Sequence, residues 1–251
     1  MFTIFSLFMG YLALLQIVKG NFINGVYLIG ASVILDGFDG TVARLTKTES
    51  NFGVQLDSLV DAVAFGLVTS AMIYFWGFRE LDPALGKVVA FVFLSAGVIR
   101  LARFNVLKEA DAMPTNIFVG LPIPLGALSI LSAVLIVGRP LETQSEMLAF
   151  SIYVVLISFL MISSVKYRTL KRIKSKNNLF ILLFLAVIIA LSINFPRYAI
   201  PFVTFLYMTS PIFFYFLNRV KKGKIHSTPT LPVVRKETPN ERGSKPKVTD
   251  E

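Results

Sequence analysis

Apolar residues fall in long blocks along this chain, separated by short polar stretches, and each block has about the 17 to 22 residues that a helix needs to cross roughly 30 Å of hydrocarbon. About eight such blocks are present, near residues 2–18, 22–43, 53–76, 86–105, 117–137, 147–165, 179–195 and 198–217. Asn194, Pro196 and Arg197 mark either a tight connection or a break within a helix. No segment alternates with the two-residue period of a barrel strand. In lipid every backbone N–H and C=O must be paired internally, so the pattern predicts an all-α polytopic membrane protein of about eight transmembrane helices. The first block starts at Phe2 with no basic residues ahead of it and no small-residue cleavage site behind it, which predicts a retained helix.

Beyond Asn218 the pattern stops. Residues 219–251 are rich in Pro, Lys, Ser and Thr and poor in anything that could form a core, so they are predicted to be a disordered basic tail attached to a transmembrane domain at 1–218. Composition agrees with the membrane reading: 55% of the residues are hydrophobic, 23 are Phe, and the mean hydropathy is +0.69. There is no cysteine, and the single histidine, His226, lies in the tail, so disulfides, thiolate nucleophiles and zinc chemistry are not expected.

Charge supplies an orientation. With an even number of spans, one side collects Arg44, Lys47, the bases around Arg100, the run from Lys166 to Lys176 and the tail, 20 basic residues against five on the other side. The positive-inside rule makes the richer side cytoplasmic, with both termini there, in a cell inner or plasma membrane. The basic runs are suited to anionic headgroups, and no nucleic acid is expected as a partner.

Against this apolar background four aspartates, Asp36, Asp39, Asp57 and Asp61, sit within or against hydrophobic runs. An isolated charge at the bilayer centre costs about 2.5 to 3.5 kcal/mol on insertion scales, so several require an interface, a wet cavity or bound cations. At about 100° per residue, Asp36, Asp39, Gly40 and Ala43 share one wedge of the second helix, while Gly53, Asp57 and Asp61 share a stripe of the third. Four carboxylates with no histidine or cysteine nearby suit Mg²⁺ or Mn²⁺. The interleaved small residues allow close helix approach and room for a bulky ligand. Arg44, at the end of the wedge, can meet a phosphate from the other side, and cations plus an arginine suit an anionic diphosphate.

The spacing Asp-x-x-Asp-Gly-x-x-Ala-Arg, eight residues, then Gly-x-x-x-Asp-x-x-x-Asp resembles the signature of the CDP-alcohol phosphotransferases. It is met here by Asp36, Asp39, Gly40, Ala43, Arg44, Gly53, Asp57 and Asp61 without a departure. The resemblance implies a six-helix core in the first two thirds of the chain, followed by two further helices. It also implies two divalent ions held by the four aspartates, a CDP-linked lipid gripped by its diphosphate beside Gly40, Ala43, Arg44 and Gly53, Asp61 as general base, and a homodimer.

The acceptor is sought in a second stretch, "VIRLARFNVLKEADAMPTNIFVGLPIPLGA", which resembles the phosphatidylserine synthase branch of that family. No proline follows Phe65 and Gly66, where that branch often has one. The implied substrates are CDP-diacylglycerol and L-serine, with Arg100 or Arg103 forking the serine carboxylate and Asn105 or a backbone carbonyl near the prolines receiving its ammonium. Arginines equally suit a phosphorylated alcohol, so glycerol 3-phosphate, inositol and inositol phosphate stay open as acceptors. A cation transporter is the reading from another class; it is disfavoured because the acidic motif has no second copy in the chain.

Overall fold

A computed structural model describes residues 2–46, 51–109, 117–168 and 194–225. The chain begins with a helical hairpin, α1 (Phe2–Val18) and α2 (Phe22–Thr46). Gly20 makes the turn at φ +83°, a conformation that a side chain disfavours. It lets the Gly20 N–H donate to the Ile17 carbonyl (3.0 Å) and the Asn21 N–H to that of Gln16 (2.9 Å), satisfying two carbonyls at the end of α1. The face that α1 buries is a stripe of mostly small residues, Thr3, Ser6, Gly10, Ala13 and Ile17. Midway along the hairpin the Ser6 and Ser32 hydroxyls lie 2.7 Å apart, each also within reach of the other's main-chain carbonyl. Small residues and paired hydroxyls are how helices associate where lipid gives no hydrophobic drive.

Next comes one continuous helical rod with an irregular middle: α3 (Asn51–Asp61), a π-helical turn (Ala62–Leu67) and α4 (Val68–Gly77). Within the turn the Val68 N–H reaches back five residues to the Val63 carbonyl. Such a turn holds one more residue than an α ladder would, and it lies directly after Asp61. It is buried against α1, where a Cβ on Gly10 would stand 3.1 Å from the Ala64 Cα. Helix α5 (Pro83–Glu109) starts cleanly because Asp82 Oδ1 accepts from the N–H groups of Ala84 (3.1 Å) and Leu85 (3.0 Å), with Pro83 in the first turn.

A short strand β1 (Ile117–Val119) precedes α6 (Ile123–Val137), and α7 (Gln144–Ile162) precedes a second strand β2 (Lys166–Arg168). The strands pair antiparallel, Phe118 opposite Tyr167. Gly138 at φ +75° ends α6, and a Thr143–Glu146 capping box begins α7, with Arg139 bound to Glu146 at 2.8 Å. The last described helix is α8 (Pro196–Ile225). Residues 1–213 form one compact unit and the part from Phe214 a second.

The class is all-α. Among the described residues three helices, Phe52–Gly77, Pro83–Leu107 and Gln144–Ile162, are long and apolar enough to cross a membrane, and Phe2–Val18, Phe22–Phe38 and Ile123–Val137 are shorter apolar helices. Large apolar side chains such as Phe91, Phe159 and Phe205 face outward, as suits an integral membrane protein. Several expected boundaries move. The fifth block was expected to be helical from 117, yet its helix starts at Ile123, because Gly120 takes φ +80° and Pro122 and Pro124 disfavour a helix running through them. The sixth runs 144–162 where 147–165 was expected, since the Thr143 cap starts it early and Val165 leads into β2. The third is interrupted by the π turn. Residues 219–225 of the expected tail at 219–251 continue α8 instead of being disordered, while residues 226–251 and the expected run at 179–195, apart from Asn194 and Phe195, lie outside the described residues, so the count of eight helices is not established.

The closeness of α1 to the π turn leads to a stability test. Gly10→Ile forces the two apart and should cost about 1–3 kcal/mol, the usual result of overpacking, read as a lower melting temperature in detergent. Gly30→Ala, where an added Cβ meets nothing within 4 Å, should leave melting unchanged. Equal melting of both variants would mean that α1 is not seated on the turn.

Candidate active site

Three helices bring charged groups together. Asp36 projects from α2, one turn beyond Ser32 and so beyond the point where α2 is locked to α1. Asp57 and Asp61 lie one turn apart on α3. Arg100 comes from α5. The Asp61 carboxylate is within electrostatic reach of Asp36, Asp57 and Arg100. Its Oδ1 is buried without a hydrogen-bond partner. Arg100 is only 6% exposed, its guanidinium sits 5.9 Å from the centre of the Phe104 ring, and its buried Nε is likewise unpartnered. Buried charges without full partners are expensive in a fold and are kept where a ligand completes them.

Asp39, Gly40, Ala43 and Arg44 continue α2 in the same helical run, and their side chains lie outside the described ones. Gly53 is exposed at the start of α3, on the stripe of Asp57 and Asp61. Among the described side chains no three acidic groups converge closely enough to hold a cation alone. The chemistry of the group nevertheless fits a divalent ion: like-charged carboxylates with no histidine or cysteine among them, and an orphaned carboxylate oxygen on Asp61.

The expected acceptor residues part company. Arg103, one turn beyond Arg100, donates from Nη1 to the Ile162 carbonyl (2.6 Å) and from Nη2 to those of Val119 (3.2 Å) and Ser163 (3.1 Å). It thereby caps the C-terminus of α7, where carbonyls lack helical partners. Asn105 Oδ1 accepts from the Ser58 hydroxyl at 3.1 Å, which ties α5 to α3 next to Asp57. The Gly120 N–H donates to the Val165 carbonyl at 2.8 Å. A Cβ on Gly120 would strike the Met161 carbonyl oxygen and come within 2.9 Å of Arg103 Nη2, so this position needs glycine for space as well as for its φ. Ser58, Tyr167 and Tyr207 also belong to this region and had no signal in the sequence. Ser58 is one polar residue on a polar helix end, and the tyrosines lie far along the chain.

Residues 1–158 match the sequence pattern of CDP-alcohol phosphatidyltransferases, and the stretch takes in α1 to α6 and most of α7. The chain belongs to the CDP-alcohol phosphatidyltransferase family. It is thus a membrane-embedded transferase. A protein of Helicobacter pylori strain 26695 named CDP-diacylglycerol--serine O-phosphatidyltransferase is 38% identical over 199 residues, which cover 78% of this chain and 81% of that one. Proteins of the same name from Methanocaldococcus jannaschii and Bacillus subtilis strain 168 are 35% identical over 193 residues and 30% over 177. These cover 76% and 70% of this chain, and 85% and 93% of theirs. The helices that this phosphatidyltransferase shares with the family end close to the segment that Arg103 caps.

That cap is open to test. Gly120→Ala should cost about 1–3 kcal/mol through backbone strain and the displaced Arg103. Arg103→Lys, which lacks the fork, should also lower the melting temperature in detergent. Wild-type melting in both would show that the α7 end relaxes freely without its cap.

Proposed function

We propose that this enzyme transfers the phosphatidyl group from CDP-diacylglycerol to L-serine, giving phosphatidylserine and CMP. The observation that carries the reading is the meeting of carboxylates on α2 and α3 with a buried arginine on α5. It is supported by relatives at 35–39% identity over most of the chain whose names state this reaction. The site is assigned to the cytoplasmic side because the basic residues gather there.

In this reading Asp36, Asp39, Asp57 and Asp61 would hold two divalent ions, Mg²⁺ or Mn²⁺. When bound, these would neutralise the diphosphate of the donor and the charge that develops on departing CMP. Gly40, Ala43 and Gly53 leave space for the nucleotide, and Arg44 pairs with a phosphate oxygen. Asp61 takes the proton from the serine hydroxyl as that oxygen attacks the phosphorus bearing the diacylglycerol. The bond from this phosphorus to the CMP oxygen breaks, and CMP leaves with the electron pair. Asp61 suits this task because one of its oxygens has no protein partner to compete for the proton. Arg100 receives the serine carboxylate. Arg103, with three hydrogen bonds to carbonyls, holds the wall from which Arg100 projects, and the Asn105 amide helps to orient the acceptor.

The deciding experiment offers the purified enzyme CDP-diacylglycerol with serine, inositol, glycerol 3-phosphate and inositol phosphate in parallel and measures CMP release. Serine should dominate; preference for another acceptor overturns the assignment. Asp36→Asn and Asp57→Asn should abolish turnover in folded protein, and EDTA should silence the wild type. Asp61→Asn should still bind CDP-diacylglycerol while losing about 10² to 10⁴ in kcat, the usual contribution of a general base. Loss of donor binding as severe as in Asp57→Asn would make Asp61 chiefly a metal ligand. Arg100→Ala should raise the serine KM far more than that of the donor.

A further inference from the structure

The family's pattern ends at residue 158, yet the wall beside Arg100 is built partly from residues beyond it. Tyr167, on β2, is 1% exposed, and its ring stacks on that of Tyr207 from α8, with centroids 5.4 Å apart and planes within 4°. The strand that carries Tyr167 is anchored through its backbone as well. Tyr167 pairs with Phe118 across the ladder, the neighbouring Val119 carbonyl accepts from Arg103, and Val165 is bound to Gly120. A chain of contacts thus runs from α5 through the ladder to α8. The Ser129 hydroxyl meets the Met208 sulfur at 3.4 Å, fixing α8 against α6 in the same turn. Tyr207 lies within electrostatic reach of Arg100, whose Nε is buried and unpartnered.

A ring stacked on a buried neighbour is biased toward that one orientation, so its hydroxyl is presented in a preferred direction. Within electrostatic reach of a buried guanidinium, such an O–H donor can complete a two-point receptor for a carboxylate: charge from one side, a hydrogen bond from the other. The acidic face of α3 adjoins this receptor through Asp61, which is where the acceptor hydroxyl must be.

We infer that Tyr207, held by its stack on Tyr167, joins Arg100 in binding the carboxylate of the acceptor, so that α8 determines acceptor specificity from outside the family's shared helices. This rests on the serine reading given above and deepens it. Its consequence is selectivity: an acceptor with the same hydroxyl and ammonium but no carboxylate, such as ethanolamine, leaves Arg100 and Tyr207 unsatisfied and is rejected.

The test compares Tyr207→Phe and Tyr167→Leu with the wild-type full chain in detergent micelles with CDP-diacylglycerol, measuring CMP release against serine and against ethanolamine. Tyr207→Phe keeps the ring and the stack and removes only the hydroxyl. It should raise the serine KM about tenfold or more, the worth of a hydrogen bond to a charged group, while the donor KM and the melting temperature stay put. The ratio of serine to ethanolamine kcat/KM should fall by the same factor. Tyr167→Leu, which frees the Tyr207 ring, should move the serine KM in the same direction. A purely structural role would instead shift kcat, both KM values and melting together, and that outcome overturns the inference. So does a serine KM in Tyr207→Phe equal to that of the wild type, in an enzyme that uses serine. If the wild type does not turn over serine at all, the serine reading fails and this inference fails with it.

Discussion

The candidate site depends on one guanidinium that is spent on main-chain carbonyls. Arg103 donates to three main-chain carbonyls from two separate segments, Val119 before α6 and Ile162 and Ser163 at the end of α7. The last turn of a helix leaves carbonyls without helical partners, and a cation at that negative end satisfies them and complements the helix dipole. The cap fixes α5 against both neighbours, and because Arg100 lies one turn away on the same helix, it fixes Arg100 too. Gly120 supplies the room, and the three-residue ladder of β1 and β2 closes over the arrangement.

The acidic half is positioned independently. The Ser6–Ser32 pair locks α1 to α2 one turn before Asp36, and Gly10 lets α1 press on the turn that follows Asp61. Each carboxylate is thus placed by packing of small residues that carry no charge. Acid and base are then joined by a neutral link, the Ser58 hydroxyl to the Asn105 amide oxygen, which crosses from α3 to α5 beside Asp57. Packing and hydrogen bonds of the fold itself thus position both halves, and such positioning is what a reaction relying on orientation and charge stabilisation requires.

Much of this was legible along the chain, because hydrophobic period and acid spacing are local quantities. Six helices up to Ile162 follow from apolar block lengths alone, and the wedge of Asp36 and the stripe of Asp57 and Asp61 follow from helical phase. What could not be read were features that need a partner distant in sequence. The two arginines of α5 look alike in sequence, and only the nearness of the α7 terminus turns Arg103 into a cap while Arg100 keeps an unpartnered Nε. The ladder from 117 to 119 is too short to show a period, and Tyr207 meets Tyr167 from 40 residues away. The start of α6 was obscured for a different reason: Ile117, Phe118 and Val119 are as apolar as the helix that follows, and the break lies in the glycine and prolines between.

The π turn after Asp61 separates two ways of counting along one helix. An α ladder that gains a residue is expected to rotate everything beyond it by about 100°, but a π turn absorbs the extra residue so that both flanks keep their directions. The carboxylate face before Ala62 and the packing face after Leu67 therefore answer to separate rulers, and residue number ceases to be a guide to direction across the junction. In terms of length variation, losing one residue inside Ala62–Leu67 would restore a regular α ladder and leave both faces where they are, whereas losing one from α3 or α4 would turn a face away. The place directly after Asp61 is thus the one stretch of this rod where chain length, and not only side-chain identity, is free to drift.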